Sequence, residues 1–331
     1  MICYLVQAHH QPDHHERLIR TLTADGDVVL THVDAKADQS AFATVPNASF
    51  TEERIRVSWR GFSQVRATLI LLAEARRRHP DASHYWFISG DSYPLRPPRA
   101  LRAMVDAHPG RQLLSVLPFP APEMGKPESR LSGLWIEHDP RHRKLLSLVL
   151  RVIHRTVRLP YRRALGDLSP LCGSNWFTLT ADAVDALLEQ VGARKSFRRL
   201  CERTSCADEH YLHTLLGATE FLADTAPAGM YADFESPTGP WPNALTSWHV
   251  QRLAAATPGR ADERYGASAD YFARKFTDAT SEALISEIHQ HLWPLPIPDP
   301  VRHPIMDHFL AENGGVQSHT TTEAGHPTHA C

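Results

Sequence analysis

The segment Ser205-Cys206-Ala207-Asp208-Glu209-His210-Tyr211 puts two adjacent acids at the expected start of a helix. Ser205 and Asp208 have capping-box spacing, with Asp where Glu or Gln is usual, which would make Asp208 structural. Glu209 projects in another direction, and a carboxylate facing a cleft can act as a general base. Acids are also common in first helical turns, where they complement the dipole, so the spacing leaves both readings open. Further along, Arg274-Lys275 sits inside Tyr271-Phe272-Ala273-Arg274-Lys275-Phe276. A cation pair beside aromatic rings can be partly dehydrated and hold phosphate, or it can complement the end of a surface helix.

Ligands in open α/β sheets bind beyond the strand ends. Three expected strand ends carry polar groups: Gln7-Ala8-His9-His10, His32-Val33-Asp34-Ala35-Lys36 and Gly90-Asp91-Ser92-Tyr93-Pro94. Asp34 can accept from a base N–H or a ribose hydroxyl, and Trp59 can stack on a base. Turn chemistry is the competing explanation, because Asp, Gly and Pro punctuate strand ends anyway. No G-x-G-x-x-G or G-x-x-x-x-G-K-[ST] loop occurs, which counts against dinucleotide oxidoreductases and P-loop enzymes, and the lack of G-x-S-x-G weakens one hydrolase class.

A divalent cation in a nucleotide-sugar enzyme is often held by Asp-x-Asp. Here Asp91 is followed by Ser92, and Asp25-Gly26-Asp27 reads as a turn. His9-His10 and His14-His15 could ligate a transition metal, but neighbours on a strand point to opposite faces. The expectation is no metal and no cofactor.

The elements that must position these groups alternate through the first hundred residues. Cys3–Ala8, Asp27–Val33, Ile55–Trp59, His84–Ser89 and Leu113–Leu117 read as strands; His14–Thr23 and a helix from Phe62 to the stop at Pro80 read as helices. This order predicts an α/β fold, a mostly parallel sheet covered on both faces. Phe119–Pro127 reads as a loop, and Arg141–Arg163 as either a solvated basic face or a surface for an acidic partner. Ser174–Thr180 reads as a strand; Asp182–Gln190, Asp208–Leu216 and Ser281–Leu292 read as helices; Phe234–Trp248 reads as a structured loop. One domain is expected over 1–312, with a nucleotide-binding half (1–117) and an acceptor-binding, catalytic half (118–312), and a disordered polar tail over 313–331.

The 331 residues carry 35 Lys and Arg against 37 Asp and Glu, which excludes the field of a non-specific nucleic-acid binder. A hydrophobic share of 42% supports a core rather than disorder. The longest apolar runs, such as Leu145–Leu150, are shorter than the roughly 20 residues of a membrane span. The five cysteines are irregularly spaced and the N-terminus reads as lacking a secretion signal, so a cytoplasmic location is expected.

Seven segments in order resemble the core-2/I-branching β-1,6-N-acetylglucosaminyltransferases and peptide xylosyltransferases of glycosyltransferase family 14. They are Tyr4-Leu5-Val6-Gln7-Ala8-His9-His10, His32-Val33-Asp34-Ala35-Lys36, Phe62-Ser63-Gln64-Val65-Arg66-Ala67, Ile88-Ser89-Gly90-Asp91-Ser92-Tyr93-Pro94-Leu95, Gly173-Ser174-Asn175-Trp176-Phe177, Asp208-Glu209-His210-Tyr211-Leu212 and Phe272-Ala273-Arg274-Lys275-Phe276. The resemblance implies a GT-A-like, Rossmann-like fold and inverting, metal-independent transfer from a UDP-sugar, N-acetylglucosamine ahead of xylose, to a glycan, glycolipid or small glycoside. It implies Glu209 as base and Lys275, with Arg274 beside it, on the diphosphate. Gln7, Ala8, His9, Asp34 and Lys36 would line the uridine site, with Trp59 stacking. Ser115, Ser174, Trp176 and Tyr231 fall near acceptor positions. The family's second diphosphate cation falls near the uncharged Asn243, where Arg274 or Arg252 could substitute. Two rival readings stand beside this one: a metal-dependent UDP-sugar transferase using Asp34 or Asp91, and a non-catalytic nucleotide-sugar-binding protein of the same fold.

Overall fold

β1 (Ile2–Ala8) is apolar except at Gln7, and its alternate side chains enter two different cores. Ile2, Tyr4 and Val6 pack to one side, Cys3 and Leu5 to the other. A strand buried on both faces must lie inside a sheet with helices above and below. The computed structural model, which describes residues 1–137, 149, 152–153, 156–235, 241–255, 261–262, 266–267 and 270–302, has this architecture.

The sheet has seven strands in the order β3-β2-β1-β4-β7-β6-β8. β2 (Val28–Val33), β1 and β4 (His84–Ser89) run parallel with β3 (Ala48–Phe50) at the edge. β7 (Leu171–Thr180) is antiparallel to β4 and to β6 (Gln112–Pro118), and β8 (Thr225–Ala226) is parallel to β6. α2 (Ser63–Arg78) and the helices Ala181–Ala193 and Tyr211–Leu216 supply one core; α1 (Pro12–Thr23), α3 (Pro98–Ala107) and Asp278–His291 supply the other. The expected α/β class and mostly parallel sheet are therefore found. A second, three-stranded sheet joins β5 (Ser92–Pro94), the strand Phe272–Arg274 and β9 (Met230–Ala232), which brings Arg274 beside the end of β4.

Two elements and one helix cap differ from the sequence expectation. Ile55–Trp59 is not a strand. β2 ends at Val33, so residues 54–57 pass its end without a ladder and are held by a backbone bond from Ala35 N to Ile55 O at 3.0 Å and by side chains. His32 Nε2 accepts from the Ile55 amide at 3.2 Å, and the Arg54 guanidinium donates to the carbonyls of Val33, Asp34 and Ala37. The expected helix Asp208–Leu216 is broken into a tight turn, Ala207–Glu209, and a helix, Tyr211–Leu216. The capping box is also not made, because Ser205 Oγ accepts from Arg60 and the residue preceding the turn is Cys206 in a left-handed conformation. Most of Arg141–Arg163 and all of the expected 313–331 tail lie outside the described residues. Among the described residues no helix is long and apolar enough to cross a membrane.

The β6–β7 ladder contains the irregularity that matters for the site. Leu114 pairs with Phe177 and Val116 with Gly173, so three residues of β7, Ser174–Trp176, face Ser115 alone. Such a bulge bends a strand and re-aims its side chains. It depends on Gly173, where a Cβ would lie 1.8 Å from the Ser115 carbonyl oxygen and 2.7 Å from His213 Nε2. Gly173→Ala is expected to cost about 3 kcal/mol, the top of the usual overpacking range. An unchanged urea midpoint for that variant would contradict this packing account.

Candidate active site

The C-terminal ends of β1, β2 and β4 converge with the bulged end of β7. Asp34 N donates to Ala8 O at 2.9 Å, and Gly90 N donates to Gln7 O at 2.8 Å. At Gly90 a Cβ would sit 2.8 Å from the Ala8 Cβ, so glycine permits this approach. His9 feels the fields of both Asp91 and Asp34, and of Lys275, which brings residues from four segments to one place. Its imidazole is drawn down to about 4, first by surrounding protein and then by His10, whose ring stacks on it at 4.0 Å; at neutral pH His9 is uncharged.

Asp91 organises the cations. It is buried, accepts from the Ser89 hydroxyl, and pairs with Arg274 at 3.2 Å and Lys275 at 3.9 Å. Burial alone would raise its carboxyl; Arg274, Ser89 and Lys275 outweigh that and hold it well below the usual carboxylate range. The Arg274 guanidinium also lies 4.7 Å from the Trp176 ring centroid, a cation–π contact created by the bulge. Lys275 is half-buried: its ammonium is disfavoured by burial and favoured by Asp91.

Glu209 lies on the turn Ala207–Glu209, which leads into the helix Tyr211–Leu216. Its carboxylate forms ion pairs with Lys126 and Arg130. Burial would raise its pKa, but Lys126 and then Arg130 lower it overall, so Glu209 is ionised at neutral pH. Asp208 beside it is shifted upward, by burial and then by the charge of Glu209. The helix that follows is tied to β7: His213 Nε2 donates to Ser174 O at 2.9 Å. His213 is buried and drawn down to about 4, and His210 to about 3, so both are neutral spacers. Lys126 and Arg130 come from the connection between β6 and β7; Lys126 is in the expected loop Phe119–Pro127, and Arg130 is in the helix Ser129–Ser132 beyond it. Neither stands in a motif, so pairing with Glu209 is visible only in three dimensions.

The other expected site residues divide clearly. Asp34 is buried, accepts from the Lys36 amide at 2.8 Å and pairs with the Lys36 ammonium at 3.5 Å; that ammonium also donates to Val57 O at 2.5 Å. Trp59 stands two residues beyond Val57, 58% exposed, with open ring area fit for stacking. Gln7 is turned away: its amide donates to Gln64 O and Thr68 Oγ1 on α2, leaving only its backbone at the strand end. Ala8 is buried and contributes close backbone approach. Ser115 is buried and accepts from the Ala228 amide, so it serves the fold. Ser174 and Trp176 are in the bulge. Tyr231 pairs in register with Ala273, not Arg274, and packs against His249, on the face opposite the Arg274 side chain. Asn243 clamps its loop: its amide donates to Asp233 Oδ2 at 2.8 Å and to Glu235 O at 2.9 Å. Arg252 pairs with Glu235.

Sequence reading also missed Arg60. It has φ 65°, its backbone carbonyl accepts from Cys206 N at 2.9 Å, and Cys206 itself has φ 56°. Two left-handed non-glycine residues bonded to each other cost roughly 1–3 kcal/mol apiece, a kind of strain that clusters at functional sites.

The arrangement supplies an ionised acid on the turn whose following helix bonds Ser174, and a partly buried cation pair at Trp176. Among the described residues no three His, Cys, Asp or Glu side chains converge as a metal's ligands would. The carboxylates of Asp34 and Asp91 face lysine and arginine.

Residues 141–249 match the family model described as Core-2/I-Branching enzyme. No curated protein matches the chain. Among solved structures, the chain is similar to a Bacillus anthracis protein assigned as a glucose-1-phosphate thymidylyltransferase, crystallised with sucrose, at 10% identity and TM-score 0.27 over 57% of this chain and 75% of that one. It is also similar to mannose-1-phosphate geranyltransferase from Thermus thermophilus, at 14% identity and TM-score 0.24 over 65% and 67%.

Proposed function

We propose, for a chain that carries a Core-2/I-branching enzyme domain over residues 141–249 and is thereby an enzyme of a glycosyltransferase family, inverting transfer of a sugar from a UDP-sugar to an acceptor hydroxyl without a metal. N-acetylglucosamine is the first donor to test, and a glycan, glycolipid or small glycoside supplies the hydroxyl. The observation that carries the reading is an ion-paired, ionised Glu209 on the turn before the helix bonded to Ser174, together with the Arg274–Lys275 pair, whose arginine lies on Trp176 of the same bulge.

Glu209 takes the proton from the acceptor hydroxyl as that oxygen bonds to the anomeric carbon. The bond from that carbon to the diphosphate oxygen breaks on the opposite face, and its electron pair leaves on UDP. An α-linked donor then gives a β-linked product. Glu209 is a weak base in its ion pairs, which suits a proton that becomes acidic only once the new C–O bond is forming. Lys275 and Arg274 stabilise the leaving diphosphate as a metal would, by fixed charge already in position. Uridine is held by Asp34, Lys36 and the His9 segment, with Trp59 on the base; Ser174 and Trp176 contact the acceptor.

A screen of UDP-sugars by thermal shift, followed by transfer assays with the ligand found, tests this. A donor at 100 times its dissociation constant adds about 2.7 kcal/mol. Transfer is expected to continue at the same rate in excess EDTA. Complete loss that returns with a divalent cation would favour a metal held by Asp34 or Asp91. UDP binding with no turnover on any acceptor would favour a non-catalytic binding protein.

A further inference from the structure

Arg60 occupies the gap between the exposed Trp59 ring and the turn that carries Glu209. Its guanidinium lies 5.5 Å from the Trp59 ring centroid and 5.0 Å from that of Trp135. The same group donates to Ser205 Oγ, at 3.1 Å from Nε and 2.8 Å from Nη2. Its own amide donates to Gln64 Oε1 at 2.8 Å on the first turn of α2. Its carbonyl accepts from Cys206 N, and the Cys206 carbonyl in turn accepts from Glu209 N at 3.0 Å. Trp135 N donates to Arg203 O at 2.8 Å, and Trp135 follows the helix Ser129–Ser132 that holds Arg130, the ion-pair partner of Glu209. Thus two routes, through Ser205–Cys206 and through Trp135, lead from one guanidinium to the catalytic carboxylate.

We propose that Arg60 is a positioning residue that couples occupation of the Trp59 ring by a nucleotide base to the geometry of the Ser205–Glu209 turn. The proposal rests on the reading of Trp59 as the stacking ring and Glu209 as the base. A base stacking on the open side of Trp59 fixes the indole, and the indole fixes the guanidinium beside it. That guanidinium is a planar donor that stacks on a second indole while two of its N–H groups meet one hydroxyl; a lysine ammonium has no flat face and no fixed fork with which to do both at once. The left-handed conformations of Arg60 and Cys206 make this junction a place where a small rotation at one residue is passed to the other through their shared hydrogen bond. The empty enzyme then holds Glu209 less firmly than the nucleotide-bound one, and the acid is fixed when a donor is present.

The test is hydrogen exchange of the full chain with and without UDP, for wild type, Arg60→Ala, Arg60→Lys and Ser205→Ala, together with steady-state kinetics. In wild type, UDP is expected to slow exchange both at 56–61 and at 203–210. In both Arg60 variants the first response persists and the second is lost; in Ser205→Ala the first persists and the second is weakened, since the Trp135 route remains. For Ser205→Ala, kcat is expected to fall about tenfold, as a small misplacement of the base would cause, while donor KM changes less than about threefold. If Arg60→Ala does not fold, Ser205→Ala carries the test, since it removes one hydroxyl. UDP binding to wild type without slowing at 203–210, or full recovery of that response and of kcat in Arg60→Lys, would overturn the coupling. Failure of wild type to bind UDP at all would instead overturn the donor reading beneath it.

Discussion

Glu209→Gln is expected to lower kcat by about 10²–10⁴-fold, the usual contribution of general-base catalysis, with UDP affinity within a few-fold of wild type. Glutamine keeps the size and one oxygen for Lys126 and Arg130 but cannot accept the acceptor's proton. It also leaves those two cations without their anion, so the UDP titration separates loss of chemistry from loss of structure. The pH profile supplies an independent reading. Glu209 is held below its ordinary 4.5, because Lys126 and Arg130 outweigh burial. A base works only when ionised, so kcat/KM should stay flat from pH 8 to 6 and fall only as pH drops below about 4.5. An acidic limb near neutrality would mark Asp208, whose carboxyl is shifted the other way, as the titrating group. Wild-type turnover surviving in Glu209→Gln would end the assignment.

The second large effect concerns Asp91→Asn. The substitution removes the anion between Arg274 and Lys275 while keeping the shape. The loss is expected at roughly 2–4 kcal/mol of stability, toward the lower side for a broken buried pair because both cations keep some solvent. The sign follows from the lowered carboxyl. Its stabilisation is fully present above its ordinary value of 3.8 and disappears only as pH falls through the lower folded value. The difference between wild type and Asp91→Asn in urea midpoint should therefore be constant from pH 5 to 8 and shrink in stronger acid. Donor KM is expected to rise as well, since Arg274 and Lys275 lose the group that aims them. An unchanged midpoint and unchanged KM together would show that the pair needs no anion.

Much of this frame is legible in one dimension. The strands whose residues alternate between two cores, and helices with a clear apolar stripe such as α1, declare themselves because local period and tertiary burial agree. Residues 54–57 mislead because a β-rich composition says nothing of whether a neighbour's edge continues; here β2 has already ended. The capping box at Ser205 misleads because the hydroxyl is taken by an arginine 145 positions away. Asp91 has the chemistry of a metal ligand, but its partners come from the far end of the chain. Lys126 and Arg130 carry no local signal, and Gln7 sits within a matching segment yet spends its amide on α2. Motif order finds the strand ends; what each side chain meets there is decided by contacts over long sequence separations.

The connection between β6 and β7 contributes no strand to the seven-stranded sheet, yet it delivers Lys126 and Arg130 to the acid. Apart from those two cations and core residues such as Phe119, Leu131, Tyr161 and Leu165, its described residues can therefore change without disturbing a ladder of that sheet. Change could then be confined to the surface of that excursion, while the parallel half keeps the strand ends it already has: one inherited frame, many outlets.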